Sequence, residues 1–134
     1  MFFRKNKKVL CFGTFDGLHP GHLSFLKQAK KYGNYLTVVV ARDENVKKIK
    51  GSYPFYNELL RLRRIRESKL VKEAILGKIF FSYDIIKEIN PDVICVGYDQ
   101  KVDKRKIKEK YNLKVVRLLP YKEDIYKSSK LLDI

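Results

Sequence analysis

The sequence predicts an α/β domain built on a doubly wound, parallel, five-stranded sheet with helices on both faces. Apolar runs of strand length alternate with amphipathic runs of helix length along the chain, the pattern of successive β-α units. The strand runs are apolar on consecutive positions, as at residues 38–40 and Val93–Val96, which a strand covered on both faces requires. With 134 residues, 45% of them hydrophobic, the chain can bury one core and has little room for a second. Residues 1–134 are therefore expected to form a single domain.

Residues 8–12 read as the first strand and residues 13–18 as a glycine-containing loop. From 19 to 32, Leu23, Leu26 and Ala29 recur at helical spacing. Pro20 suits the first turn of that helix, where its missing N–H costs nothing, and Gly33 and Asn34 stop it. Residues 35–41 form the second strand. Asp43 is placed to cap a short helix through Lys48, and residues 51–54 are a loop. Residues 57–70 predict a strongly basic helix with Leu59, Leu62, Ile65 and Leu70 facing inward. A short strand at Glu73–Leu76 precedes Gly77, and the helix over residues 83–89 ends before Asn90-Pro91. Strand Val93–Val96, a helix over 103–110, a strand over 113–118 and a terminal helix over 128–134 complete the chain. The loops at 13–18, 42–51 and 97–100 all follow strands. They should converge on one crevice beyond the carboxyl ends, where strand order reverses and such sheets bind ligands.

Thirty basic and fifteen acidic side chains leave a net charge of +15, which invites a nucleic-acid reading. The basic residues are spread along the whole chain, and no nucleic-acid-binding signature accompanies them, so nucleic acid is not the expected partner. A few of these charges suit a cleft for a polyphosphate. Cys11 and Cys95 each sit inside an apolar strand run and read as small core residues. No run approaches the ~20 apolar residues of a membrane span, and the N-terminus lacks a signal-peptide core, so a soluble cytoplasmic protein is expected.

The chemistry concentrates in Gly13-Thr14-Phe15-Asp16-Gly17-Leu18-His19-Pro20-Gly21-His22, which follows a strand and opens a helix. That placement aims backbone N–H groups and the positive helix end at an anion. Gly21 leaves room for phosphate against the helix. His19 and His22 are the chain's two histidines. As N–H donors they can stabilise charge that builds on an α-phosphate and a leaving pyrophosphate, with no covalent intermediate. A purely capping role, or zinc, is the alternative; zinc lacks a nearby cysteine or third histidine.

This segment resembles the signature G-x-F-D-x-x-H-x-G-H of the cytidylyltransferase-like nucleotidyltransferases. The segments VVVARDENVKKIKG, EAILG and NPDVICVGYDQ are most similar to the archaeal FAD synthase branch. The resemblance implies a Rossmann-like nucleotidyltransferase fold and assigns roles by position. His19 and His22 match the phosphate-stabilising pair, and Gly13, Thr14 and Phe15 match the loop along the nucleotide. Asp16 matches the family aspartate, with loop geometry as its role and metal contact as the lesser alternative. Lys50 matches a lysine reaching the triphosphate, and a solvated loop charge is its bland alternative. Arg61 matches an arginine on the following helix, with Arg63, Arg64 and Arg66 read as a solvated face. Gly97-Tyr98-Asp99-Gln100 matches a strand-end motif near nucleobase and ribose, with Asp99 on ribose hydroxyls or Mg²⁺, or simply forming a turn. Ser128 and Ser129 match a terminal motif holding the β- and γ-phosphates, or cap a helix.

There are departures. The family's Arg-Tyr-Val-Asp is Lys69-Leu70-Val71-Lys72 here, and its terminal motif is one residue longer and lacks its arginine, whose charge Lys122 or Lys127 can supply. The resemblance implies ATP and FMN as substrates with Mg²⁺, FAD and pyrophosphate as products, no tightly bound prosthetic group, and a homodimer. Phe12, Phe15, Phe55 and Tyr56 are candidates to flank the isoalloxazine ring. The alternatives are a cytidylyltransferase using CTP and glycerol 3-phosphate or a similar small phosphate, and a non-catalytic nucleotide- or nucleic-acid-binding module.

Overall fold

A computed structural model describes residues 7–79 and 83–120. Ser128, Ser129, Lys122, Lys127 and the expected terminal helix lie outside the described residues. The described elements run β1 (Lys8–Gly13), α1 (Pro20–Lys30), β2 (Tyr35–Val40), α2 (Asp43–Lys50), α3 (Glu58–Glu67), β3 (Glu73–Leu76), α4 (Asp84–Ile89), β4 (Val93–Val96), α5 (Lys104–Tyr111) and β5 (Lys114–Arg117). The five strands form one all-parallel sheet in the order β3-β2-β1-β4-β5. This is the doubly wound sheet the sequence predicts.

Side-chain alternation divides β1 between two cores. Val9 and Cys11 face one side, with Leu26 and Ala29 of α1 and Leu62 and Ile65 of α3. Leu10 faces the other, with Ile85 and Ile86 of α4 and Ile107 of α5. Each face of the sheet is thus covered by a pair of helices, which accounts for strands that are apolar on consecutive positions. Cys11 and Cys95 are register partners on β1 and β4, both free and buried. Burial pushes the Cys95 thiol up to about 12 and raises that of Cys11. They are core residues, as expected.

The chain moves from β1 outward to β2 and β3, then returns past β1 to β4. Strand order therefore reverses between β1 and β4, whose carboxyl ends lead into Gly13 and Gly97. A crevice forms where neighbouring connections depart to opposite faces, so topology places the two glycine loops side by side.

Several details differ from the sequence expectation. Leu59 is 67% exposed, and the interior position near that end of α3 belongs to Arg61, which is fully buried. Spacing alone cannot separate the two, because both lie within a turn of Leu62. The hydrogen bonds of the guanidinium decide it. Asp43 does not cap α2: Arg42 holds that position, and Asp43 is the first helical residue. The helix continues two residues further than expected, to Lys50, and stops at Gly51 in the left-handed region at φ 85°. The basic helix α3 is shorter than expected, ending at Glu67, and Arg66 donates to the Ala74 carbonyl at 2.8 Å, so it is more than a solvated charge.

Thr37, in the middle of β2, is 1% exposed, and its hydroxyl has no hydrogen-bond partner among the described residues. A buried hydroxyl without a partner costs free energy that an isosteric methyl group avoids. Thr37→Val should raise unfolding stability by about 1 kcal/mol, read as a higher urea midpoint with an unchanged slope.

Candidate active site

The centre of the site is the start of α1. His19 is the N-cap residue, with extended backbone, and its Nδ1 accepts from the Gly21 N–H at 3.1 Å. His22, three residues on, returns the favour: its Nδ1 accepts from the His19 N–H at 3.2 Å. The two imidazoles form a reciprocal capping box of the kind usually built from Ser or Thr and Glu. Their rings stack with centroids 3.7 Å apart and planes 19° from parallel. His22 also meets the edge of Phe15 at 5.5 Å.

This arrangement fixes the chemistry of both rings. An Nδ1 that accepts from a backbone N–H carries no proton, so each neutral ring carries its proton on Nε2. On each ring the donor side is thus opposite the atom that caps the helix. Burial lowers the His22 pKa to about 3, with the neighbouring His19 and the Lys50 ammonium adding to the effect. The pKa of His19 is lowered too, chiefly by burial. The same interaction shows that the Lys50 charge is felt at the His22 ring. Lys50 is the last residue of α2, and Gly51 ends the helix there.

These shifts predict a pH response. Between its ordinary value of 6.5 and about 3, His22 binds a proton in the unfolded chain and not in the folded one. Its contribution to stability is therefore complete above 6.5 and declines as pH falls toward 3. The slope is at most about 1.4 kcal/mol per pH unit. Imidazole nitrogen NMR at about pH 5 should show His22 neutral and protonated on Nε2. A His22 titration near 6.5 in the free protein would contradict the geometry.

The loop before α1 is strained and braced. Phe15 has φ 53° and Leu18 φ 28°, both unusual for residues with side chains. Phe15 is 5% exposed, and a Cβ on Gly13 would stand 2.6 Å from its ring, so only glycine fits there. Two side chains brace the loop, one acidic and one basic. Asp16 accepts from the backbone N–H groups of Phe55 and Tyr56 at 2.8 and 3.0 Å, which ties the loop to the segment before α3. Arg61 donates to the carbonyls of Thr14, Tyr56 and Ala41 at 2.8, 2.8 and 2.9 Å and to Asp43 at 2.7 Å. Asp43 in turn accepts from the Glu58 N–H, and Glu58 accepts from the Asp43 N–H and from Arg42.

The expected residues therefore fall into groups. His19, His22, Lys50 and the loop containing Gly13, Thr14 and Phe15 come together. Arg61, expected beside the nucleotide, lies inside the protein with its guanidinium engaged by protein acceptors. The Gly21 N–H is taken by His19. Gly97 closes a turn in which its N–H donates to Gln100 Oε1 at 2.7 Å, while Gln100 Nε2 donates to the Phe12 carbonyl at 2.9 Å. Gln100 thus ties the end of β4 to the end of β1. Arg117 donates to the carbonyls of Gly97 and Gln100, each at 2.8 Å. Neither role was visible in the sequence, because both depend on contacts across the sheet. Asp99 is exposed at the tip of this turn. An open depression of about 740 Å³ adjoins it, lined by residues 98–104 and Arg117 and not reaching the histidines.

A crevice at the reversal of strand order, a proton-bearing imidazole pair at a helix start and a braced glycine turn define the class of Rossmann-like nucleotidyltransferases. Residues 10–132 match the family model described as cytidylyltransferase-like, and the chain belongs to that family. It is 38% identical to the FAD synthase of Thermococcus sibiricus, over 96% of this chain and 92% of that one. It is 42% identical to the FAD synthase of Aciduliprofundum boonei, over 85% and 79%. Among solved structures it resembles one titled lipopolysaccharide core biosynthesis protein, from Thermoplasma volcanium GSS1. That match has a TM-score of 0.81 and 40% identity, covering 87% of this chain and 99% of that one. The chain is a nucleotidyltransferase. No helix among the described residues is long and apolar enough to cross a membrane.

Proposed function

We propose that the chain transfers AMP from ATP to FMN, giving FAD and pyrophosphate. The observation that carries this is the stacked His19–His22 pair at the start of α1, with both Nδ1 atoms occupied by backbone N–H groups. The relatives named FAD synthase supply the acceptor.

A phosphate oxygen of FMN attacks the α-phosphorus of ATP. As the new P–O bond forms, the bond to the bridging oxygen breaks and pyrophosphate leaves with the electron pair. Negative charge grows on the leaving group, and neutral N–H donors already in place stabilise it without reorganisation. Lys50 adds a positive charge beside His22. Because both rings stay neutral, neither needs to give up its proton; their work is positioning and electrostatics. The turn over residues 97–100, pinned by Gln100 and Arg117, takes the nucleobase and ribose, and Asp99 at its tip reaches the ribose hydroxyls. No group of three potential metal ligands occurs among the described residues. That donor set suits Mg²⁺ carried largely by the triphosphate and its waters, with Asp99 able to complement it. When bound, the ion supplies charge neutralisation on the phosphates.

The test pairs ATP or CTP with FMN or glycerol 3-phosphate and follows pyrophosphate release. FAD formed from ATP and FMN alone supports the proposal. Turnover of CTP with the polyol phosphate, and none with FMN, refutes it.

A further inference from the structure

We propose that Phe55 is the stacking platform for the isoalloxazine ring of the acceptor. The assignment rests on the FMN reading above and goes beyond it by naming where the ring sits and which residue selects it. Of the four aromatic candidates, Phe15 is in the core and Phe12 packs against the second core cluster. Tyr56 has the Arg64 guanidinium 4.4 Å from its ring centre. Phe55 is 73% exposed.

An exposed apolar ring means little on a loose loop, and this loop is not loose. The Phe55 and Tyr56 N–H groups both bond Asp16. The Tyr56 carbonyl accepts from Arg61 at 2.8 Å. Pro54 removes a backbone freedom on the other side. Tyr53 is held through its hydroxyl on Glu44 at 2.9 Å, with the Lys47 ammonium 4.5 Å from its ring centre. Phe55 is therefore an apolar surface on a backbone already ordered, and a planar ligand stacking on it does not have to order the loop.

The position also fits. Asp16, which grips the Phe55 backbone, precedes His19 by three residues, at most about 11 Å of extended chain. The Phe55 backbone is thus tied to the loop that opens α1, and a ribityl chain is the spacer that would join a phosphate at the imidazole pair to a ring on that loop. A small polyol phosphate has no aromatic surface to place there, so the same ring discriminates between acceptors.

Steady-state kinetics on Phe55→Ala and Phe55→Trp test this. Stacking on a single aromatic side chain contributes enough that Phe55→Ala should raise the KM for FMN by about 10-fold or more. The KM for ATP and the thermal midpoint should stay near wild type. Phe55→Trp should keep FMN affinity. The chain contains no tryptophan, so the new indole reports directly, and riboflavin, which lacks the phosphate, should quench it. An unchanged KM for FMN in Phe55→Ala overturns the proposal. So does a parallel loss of ATP affinity and stability, or a dimer that sedimentation shows falling apart while flavin binding is kept. If wild type makes no FAD yet riboflavin quenches Phe55→Trp, the reaction reading fails and the ring site stands. If wild type makes FAD and neither variant alters flavin binding, the ring site alone falls.

Discussion

His22→Asn should fold like the wild type and turn over about 10²- to 10³-fold more slowly, the effect of removing one preorganised donor at developing charge. Asparagine is an informative replacement here. Its side-chain oxygen lies near the position of Nδ1, so it can still accept from the His19 N–H, which His22 now does at 3.2 Å. What it lacks is a donor at the Nε2 position. His22→Gln carries an amide donor further out, near the position of Nε2, and should recover part of the rate. The loss should appear equally in kcat and kcat/KM, since the donor acts on charge that grows only as the bond breaks. Single-turnover rates with ATP and FMN check this. Wild-type rates in both His22→Asn and His19→Asn would remove the imidazole pair from the reaction.

Arg61→Met should lower unfolding stability by about 3–5 kcal/mol, a large share of what a small domain has. The side chain is fully buried, and its removal leaves Asp43 and the carbonyls of Thr14, Tyr56 and Ala41 without their donor. Unmet acceptors away from water carry most of the cost. Arg61→Lys should rescue little, because one ammonium cannot reach acceptors on several segments at once. Urea denaturation gives the value. An arginine on the nucleotide would behave differently, raising the KM for ATP at unchanged stability, so the two measurements separate a bracing role from a contact with substrate.

The sheet was legible because its signals are local. Runs such as Val38 to Val40 and the stops at Gly33 and Asn90-Pro91 mark elements without reference to neighbours, and each predicted strand is present. The histidine pair was legible for the same reason: both rings lie within one turn. The bracing was not. Arg61 sits in a run of arginines on a helix and looks like its neighbours until Thr14, Ala41 and Asp43 are brought to it. Gln100 and Arg117 likewise acquire their roles only when β1, β4 and β5 lie side by side. Leu59 was misplaced because a 3.6-residue period gives the face of a helix but not how far along its length the core extends.

The imidazole cap has an electrostatic consequence for where a polyanion can settle. Asp43 and Glu58 begin α2 and α3, Asp84 begins α4, and the Asp103 carboxylate caps α5. Each of those positive ends is already shadowed by a negative charge. The first turn of α1 carries no acid, and its orphan donors are answered by rings that stay uncharged. Had a carboxylate done the same job, it would repel a triphosphate at the place where one must lie. Among the described helices, α1 alone keeps its dipole unspent.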